Sequence, residues 1–265
     1  MESLLIKAGQ GDYAVEFLDD LRQIVEHIAA LPNAVIVVDR NVATLYATVL
    51  QPAFQGKPTL VIDATEEEKS LLGVTRVLNF FQASNCVKSN LVVAIGGGIT
   101  QDIVAFAAHM YYRGLKWVFV PTTLLAMADS CIGAKCGVNL NEYKNQLGVF
   151  YAPSRVLVCT KFLETLTEAD VRSGYGEIFK LSLTGSTEFH NAYMAHVDRN
   201  GFSRSSIEWM IYNSLCVKKE IIEQDEYEID LRRILNYGHT FGHALEAITH
   251  YAVPHGQAVS GVWIW

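Results

Sequence analysis

Apolar residues gather into short, nearly unbroken runs through the first part of the chain: Ala34–Val38, Thr59–Ile62, Leu91–Ile95, Trp117–Val120 and Arg155–Cys159. Rich in Val and Ile and only a few residues long, these runs predict strands covered on both faces. Stretches with helical spacing lie between them, Ala14–Leu31 and Glu67–Phe81 among them. The alternation predicts an α/β fold with a mainly parallel, Rossmann-like sheet. After about Lys161 the pattern changes. Glu164–Leu183, Ser205–Glu223 and Leu231–Thr249 are spaced as helices, and clear strands disappear. The expected division is an α/β domain over 1–160 and an all-helical domain over 161–265. The final run, Gly261-Val262-Trp263-Ile264-Trp265, carries no stop signal, as a helix cut through its middle would look.

Composition narrows the possibilities. Half of the 265 residues are hydrophobic and 18% are charged, enough apolar material for a core and too much for disorder. A net charge of −7 argues against a nucleic-acid surface, which needs clustered Lys and Arg. Five cysteines, none in a CxxC pair, fit neither a disulfide framework nor a thiolate zinc site, and point to a reducing cytoplasm. Met1 to Gly9 lacks a signal-peptide layout, and no apolar run nears the roughly 20 residues that span a bilayer.

Two places carry candidate chemistry. Gly96-Gly97-Gly98 follows a predicted strand and precedes a helical pattern, where glycines let backbone N–H groups approach a phosphate. Asp39, the three glycines and Thr122 all fall at the carboxyl ends of predicted strands, where open α/β sheets bind ligands; the spacing is not GxGxxG. The second place is polar. Arg232, Asn236, His239 and His243, spaced i, i+4, i+7 and i+11, would share one face of a helix. One Glu, Glu177, with two or three of His239, His243 and His255 suits a catalytic Zn²⁺ with an open position, and spacing alone leaves the choice of histidines open. His109, His190, His196 and His250 have no such setting.

The ordered set of motifs resembles the 3-dehydroquinate synthase family of sugar-phosphate cyclases. The resemblance runs through Gly96–Asp102, Arg113-Gly114, Pro121-Thr122-Thr123-Leu124-Leu125-Ala126 and Asp129-Ser130. It continues through Lys135, Gly137-Val138-Asn139, Lys144-Asn145, Phe150-Tyr151 and Gly176-Glu177-Ile178-Phe179-Lys180. It then takes in Leu235-Asn236-Tyr237-Gly238-His239-Thr240-Phe241-Gly242-His243-Ala244 and closes at His255-Gly256. It implies a nucleotide-binding α/β domain, a helical metal-binding domain and an active site between them. It implies that Glu177, His239 and His255 hold Zn²⁺ or Co²⁺, leaving His243 as an acid/base residue. NAD is implied at Asp39, Glu66, Lys69, Gly97, Gly98, Asp102, Thr122, Thr123, Asp129, Lys144, Phe162 and Thr165. Arg113, Lys135, Asn145, Lys180, Lys218, Arg232 and Asn236 match positions that hold the substrate's phosphate, carboxylate and hydroxyls, and Glu228 matches a proton-transfer position. The implied reaction turns a phosphorylated seven-carbon keto acid, 3-deoxy-D-arabino-heptulosonate 7-phosphate, into a carbocycle with loss of phosphate in a homodimeric enzyme. NAD⁺ is regenerated within the cycle, so it is a catalyst rather than a co-substrate.

The sequence departs from the family pattern in two ways. Gln101 and Ala134 stand where small glycines are usual, and Cys136 lies between Lys135 and Gly137. Family members also run on well past the His-Gly motif, so a truncated, inactive chain is expected. Three other readings share these residues: a cyclase of sedoheptulose 7-phosphate or glucose 6-phosphate, a metal-dependent alcohol dehydrogenase of the glycerol dehydrogenase kind, and an inactive NAD-binding remnant. Glu177 speaks against the dehydrogenase, which usually has Asp as its first ligand.

Overall fold

The structure is a computed structural model that describes residues 2–141, 143–200, 203–249 and 253–261. It separates into two compact units, each described by itself. The first comprises Met1–Thr122 and Ala134–Phe162, the second Thr123–Gly133 and Leu163–Trp265.

The first unit is built on strands β1 (Leu4–Ile6), β2 (Tyr13–Phe17), β3 (Ala34–Asp39), β4 (Thr59–Ile62), β5 (Leu91–Gly96), β6 (Trp117–Pro121), β7 (Lys135–Leu140), β8 (Tyr143–Phe150) and β9 (Arg155–Val158). Its helices are α1 (Leu21–Ala29), α2 (Arg40–Leu45), α3 (Ala47–Phe54), α4 (Leu71–Ala83) and α5 (Gly98–Met110). Seven strands form one sheet in the order β1-β2-β9-β6-β5-β3-β4, parallel except for the β1–β2 pair, and β7–β8 form a separate antiparallel hairpin. Every residue of β3 and β6 is buried, which explains why their apolar runs are continuous rather than alternating. Trp117, Phe119 and Phe81 fill the interior between sheet and helices.

Two predicted helices of this unit change. Ala14–Leu31 divides into β2 and α1. Tyr13 and Val15 are buried in alternation, as in a strand, and Asp20 begins the helix through a capping box with Gln23. The helical pattern at Glu67 starts later, at Leu71, because Ser70 pairs with Asn139 and Lys69 O accepts the Asn139 N–H at 2.9 Å.

The second unit is helical: α6 (Glu168–Thr184), α7 (Thr187–Asn200), α8 (Arg204–Gln224), α9 (His239–Ile248) and α10 (His255–Gly261), with a π-helical turn over Ala126–Ser130. Here the predicted helix Leu231–Thr249 is corrected. It breaks into a 3₁₀ segment, Leu231–Asn236, and α9, because Tyr237 is extended (ψ 133°) and Gly238 takes φ +82°. Arg232 and Asn236 therefore do not share a helical face with His239 and His243. A left-handed glycine ends a helix at little steric cost, and this one re-aims the chain before His239. Among the described residues no helix is long and apolar enough to cross a membrane.

Candidate active site

In the first unit, the neighbouring strands β3, β5 and β6 end side by side, carrying Asp39, Gly96 to Gly98 and Thr122 to one sheet edge. Gly97 caps α5, and a Cβ at Gly96 would run into the Thr100 side chain, so this turn needs glycine. The Thr122 N–H donates to Gly96 O at 2.9 Å. Asp39 caps α2, its carboxylate accepting from the N–H groups of Asn41 and Val42 at 2.6 and 3.3 Å.

A second group joins the segment around Glu66 to the β7–β8 hairpin. Lys69 Nζ lies 2.6 Å from Asp102, which also accepts the Gly137 N–H at 3.3 Å. Lys144 Nζ lies 3.7 Å from Glu66. Lys135 and Asn145 are exposed on the hairpin, Asn145 at φ +52°. Phe162 is buried edge-on against Tyr46, with ring centroids 5.0 Å apart. Arg113 is exposed on the turn after α5, also with positive φ.

The second unit contains a buried ionic cluster. Glu177 and Lys180 sit one turn apart on α6, 1% and 2% exposed, and contact each other directly. Lys180 Nζ reaches Asp129 at 3.3 Å, and Lys218 from α8 contacts the same carboxylate and donates to Asp129 O at 2.8 Å. Two carboxylates and two ammonium groups balance, as burial of charge requires. Burial acts to raise the Asp129 carboxyl, but Lys180 and Lys218 override it and hold it well below the ordinary range. For Glu177 burial wins, and its carboxyl is raised. Burial likewise lowers the Lys218 ammonium, with Arg232 adding to the effect.

Against this cluster stand Glu177, His239 and His255, whose ligand atoms all lie within 4.8 Å of one another. The histidines begin α9 and α10, and their ring centroids are 5.2 Å apart. Glu177 Oε1 is buried without a hydrogen-bond partner, 3.5 Å from His255 Nε2. A buried carboxylate oxygen with no donor, facing two imidazoles, is what a divalent ion would satisfy, and one carboxylate with two histidines suits Zn²⁺. His255 Nδ1 lies 3.0 Å from Glu246, itself 3% exposed. Such a carboxylate fixes the ring and its tautomer. Glu246 escaped the sequence analysis, although it lies seven residues after His239 and thus on the same face of α9.

The closeness of α6 and α10 sets this geometry. A Cβ at Gly176 would fall on the Gly256 carbonyl, and one at Gly256 on the Ser173 carbonyl. The Gly256 N–H donates to Ser173 Oγ at 3.0 Å. Because backbone atoms oppose the new methyl, Gly256→Ala is expected to cost about 1–3 kcal/mol of stability and to lower metal retention by displacing His255. Urea denaturation and metal analysis check this, and a wild-type midpoint with full metal content would refute it.

Arg232 is buried, its guanidinium donating to Gly133 O at 2.8 Å and to Glu226 O. A Cβ at Gly133 would come within 2.7 Å of Arg232 Nη2. Asn236 donates to Glu228, which takes φ +60°. Thr123 accepts the Ala126 N–H at 3.2 Å, and Thr165 is exposed at the end of a 3₁₀ turn. The His243 side chain lies outside the described residues.

Comparison with known proteins yields a consistent set of likenesses. The family model for the 3-dehydroquinate synthase N-terminal domain matches residues 59–173, and that for the 3-dehydroquinate synthase C-terminal domain matches residues 174–263. The 3-dehydroquinate synthase of Streptococcus equi subsp. equi is 34% identical over 266 residues, covering 98% of this chain and 73% of the relative. A solved 2-epi-5-epi-valiolone synthase from Streptomyces hygroscopicus subsp. jinggangensis, with NAD⁺ and Zn²⁺ bound, is 31% identical with a TM-score of 0.85, over 96% of this chain and 73% of that one. A 2-deoxy-scyllo-inosose synthase complexed with carbaglucose-6-phosphate, NAD⁺ and Co²⁺ is 27% identical with a TM-score of 0.86, over 97% and 74%.

Proposed function

The chain belongs to the 3-dehydroquinate synthase family of sugar-phosphate cyclases, and we propose that it converts 3-deoxy-D-arabino-heptulosonate 7-phosphate into a carbocycle with release of phosphate. The observation that carries this reading is the donor set Glu177, His239 and His255 standing beside the cluster of Lys180, Asp129 and Lys218.

Glu177, His239 and His255 would hold Zn²⁺ or Co²⁺, which when bound supplies Lewis-acid polarisation of a substrate oxygen. Asp39, Glu66, Lys69, Gly97, Gly98, Asp102, Thr122, Thr123, Asp129, Lys144, Phe162 and Thr165 would hold NAD⁺, which supplies reversible hydride acceptance. The glycine turn presents backbone N–H groups to the pyrophosphate, and Asp102 keeps Lys69 in place. Lys180, Lys218 and Arg232 hold the phosphate and carboxylate, Arg232 being suited to paired contacts with an anion. The Asp129 carboxylate favours the charged form of both ammonium groups, against the burial that opposes it. Lys135, Asn145, Asn236 and Arg113 complete the substrate contacts, and His243 and Glu228 carry protons. We place the enzyme in a reducing cytoplasm as a homodimer acting on a small phosphorylated sugar acid. Cys86, Cys131, Cys136 and Cys159 are buried and none forms a disulfide, and burial pushes the Cys131 thiol up to about 12, so it packs as a neutral group.

The test is release of inorganic phosphate from the heptulosonate phosphate with catalytic NAD⁺ and Zn²⁺. The chain covers 73% of the Streptococcus equi relative, and release that requires both, with no net NADH, is expected from a chain carried to that relative's length. NADH accumulating with a polyol would instead identify a dehydrogenase. Silence with the heptulosonate and turnover of sedoheptulose 7-phosphate would reassign the substrate, as Ala134 and Cys136 flank the Lys135 position where the family pattern differs.

A further inference from the structure

Asn139 touches none of the groups expected to meet a ligand's reacting atoms, yet it joins two sets of ligand-holding residues. Its Nδ2 donates to Glu66 Oε1 at 2.8 Å and to Glu66 O at 3.3 Å. Its Oδ1 accepts the Asn145 N–H at 2.9 Å, and its own N–H donates to Lys69 O at 2.9 Å. The amide orientation is dictated by chemistry. Both Glu66 atoms only accept and the Asn145 N–H only donates, so the NH₂ must face Glu66 and the oxygen must face Asn145. Asn145 sits at φ +52°, a conformation costly for a residue with a Cβ, and the bond from Asn139 holds its N–H there. Glu66 Oε1 in turn lies 3.7 Å from Lys144 Nζ, so one amide fixes the carboxylate and the start of β8, which carries Lys144 and Asn145.

We propose that Asn139 is a positioning residue that ties the cofactor-holding pair Glu66 and Lys144 to the substrate-holding Asn145. This deepens the reading above and rests on Glu66 holding NAD⁺ and Asn145 holding the sugar phosphate. No other neutral side chain of this size offers two donors and one acceptor in this arrangement. Aspartate keeps the bond from Asn145 but turns an oxygen toward Glu66, where it repels. Alanine loses both bonds.

NAD⁺ binding to the full chain is measured by calorimetry for wild type, Asn139→Asp, Asn139→Ala, Glu66→Ala and the Asn139→Ala/Glu66→Ala pair, with thermal melts as a check of folding. The Michaelis constant for 3-deoxy-D-arabino-heptulosonate 7-phosphate is read from phosphate release. Asn139→Asp is expected to weaken NAD⁺ about tenfold and to leave the sugar-phosphate constant within about twofold. Asn139→Ala is expected to raise both about tenfold. The double variant is expected to bind NAD⁺ no more weakly than Glu66→Ala, because Asn139 acts through Glu66. Multiplying fold-changes in the double variant, wild-type NAD⁺ binding by Asn139→Asp, or failure of both Asn139 variants to fold would overturn the proposal. Wild type that binds no NAD⁺ would remove the cofactor reading itself, and this proposal with it.

Discussion

Replacing His255 by alanine is expected to strip the metal from the purified protein and to lower turnover by at least about a hundredfold, while leaving NAD⁺ affinity unchanged. The magnitude follows from the several kcal/mol that a Lewis-acid ion contributes to a developing negative charge. The specificity follows from placement. His255 faces Glu177 at 3.5 Å and His239 at a ring distance of 5.2 Å, all within the helical unit. The glycine turn, Lys69 and Glu66 belong to the sheet-bearing unit. Loss of His255 also leaves Glu246 buried without the imidazole it pairs with, so a modest loss of stability accompanies the loss of metal. Elemental analysis of metal per chain, phosphate release and NAD⁺ titration together check the result. A variant that retains one metal per chain and turns over within about threefold of wild type would remove His255 from the donor set.

Lys180→Met carries the largest expected effect on stability, a loss of about 3–5 kcal/mol. The side chain is similar in volume, so the change removes charge with little loss of packing. Glu177 and Asp129 then remain buried, Glu177 without its ammonium partner and Asp129 with Lys218 alone. The pH dependence follows from the Asp129 carboxyl, which burial acts to raise but which Lys180 and Lys218 hold well below its ordinary range. A depressed carboxyl contributes stability that is fully present above the ordinary carboxylate range and is lost as pH falls through the lowered folded value. With Lys180 gone the folded value rises, so less of this contribution exists at neutral pH and it disappears at a higher pH. Urea unfolding of wild type and variant at neutral and mildly acidic pH checks both statements, with Lys180→Arg as the charge-keeping control. Equal midpoints for wild type and Lys180→Met at neutral pH would show that the cluster adds nothing.

The strands that could be recognised from the chain alone are those whose burial leaves a continuous apolar record. β3, β4, β5, β6 and β9 lie within a residue of the predicted runs. β1 and β2 escape because they are short, paired antiparallel at one edge of the sheet and partly exposed. The β7–β8 hairpin escapes because its buried apolar face is short, Cys136 and Val138 on β7, while its outer positions carry Lys135 and Asn139. The break before α9 was signalled by Gly238, but a histidine pattern at helical spacing masked it. Glu177, His239 and His255 could be singled out by residue type and by resemblance to the family. Their convergence could not be derived from spacing, because they come from the starts of two helices and the middle of a third. The pairing of Asp129 with Lys180 and Lys218 joins positions 51 and 89 residues apart, which no local pattern encodes. Glu246 is the one supporting carboxylate that a helical-face count from His239 would have found.

The helical unit draws its short segment Thr123–Gly133 from the stretch of chain between β6 and β7, ahead of the final strands of the sheet. Its inheritance is therefore not linear. A crossover between two related genes in the interval after Gly133 and before Leu163 would join one parent's Asp129 and Gly133 to the other parent's Lys180, Lys218 and Arg232. The charge balance of the buried cluster and the carbonyl that receives the Arg232 guanidinium would then be settled by two ancestries at once. Functional chimaeras should accordingly carry 123–133 and the region from 163 onward from the same parent.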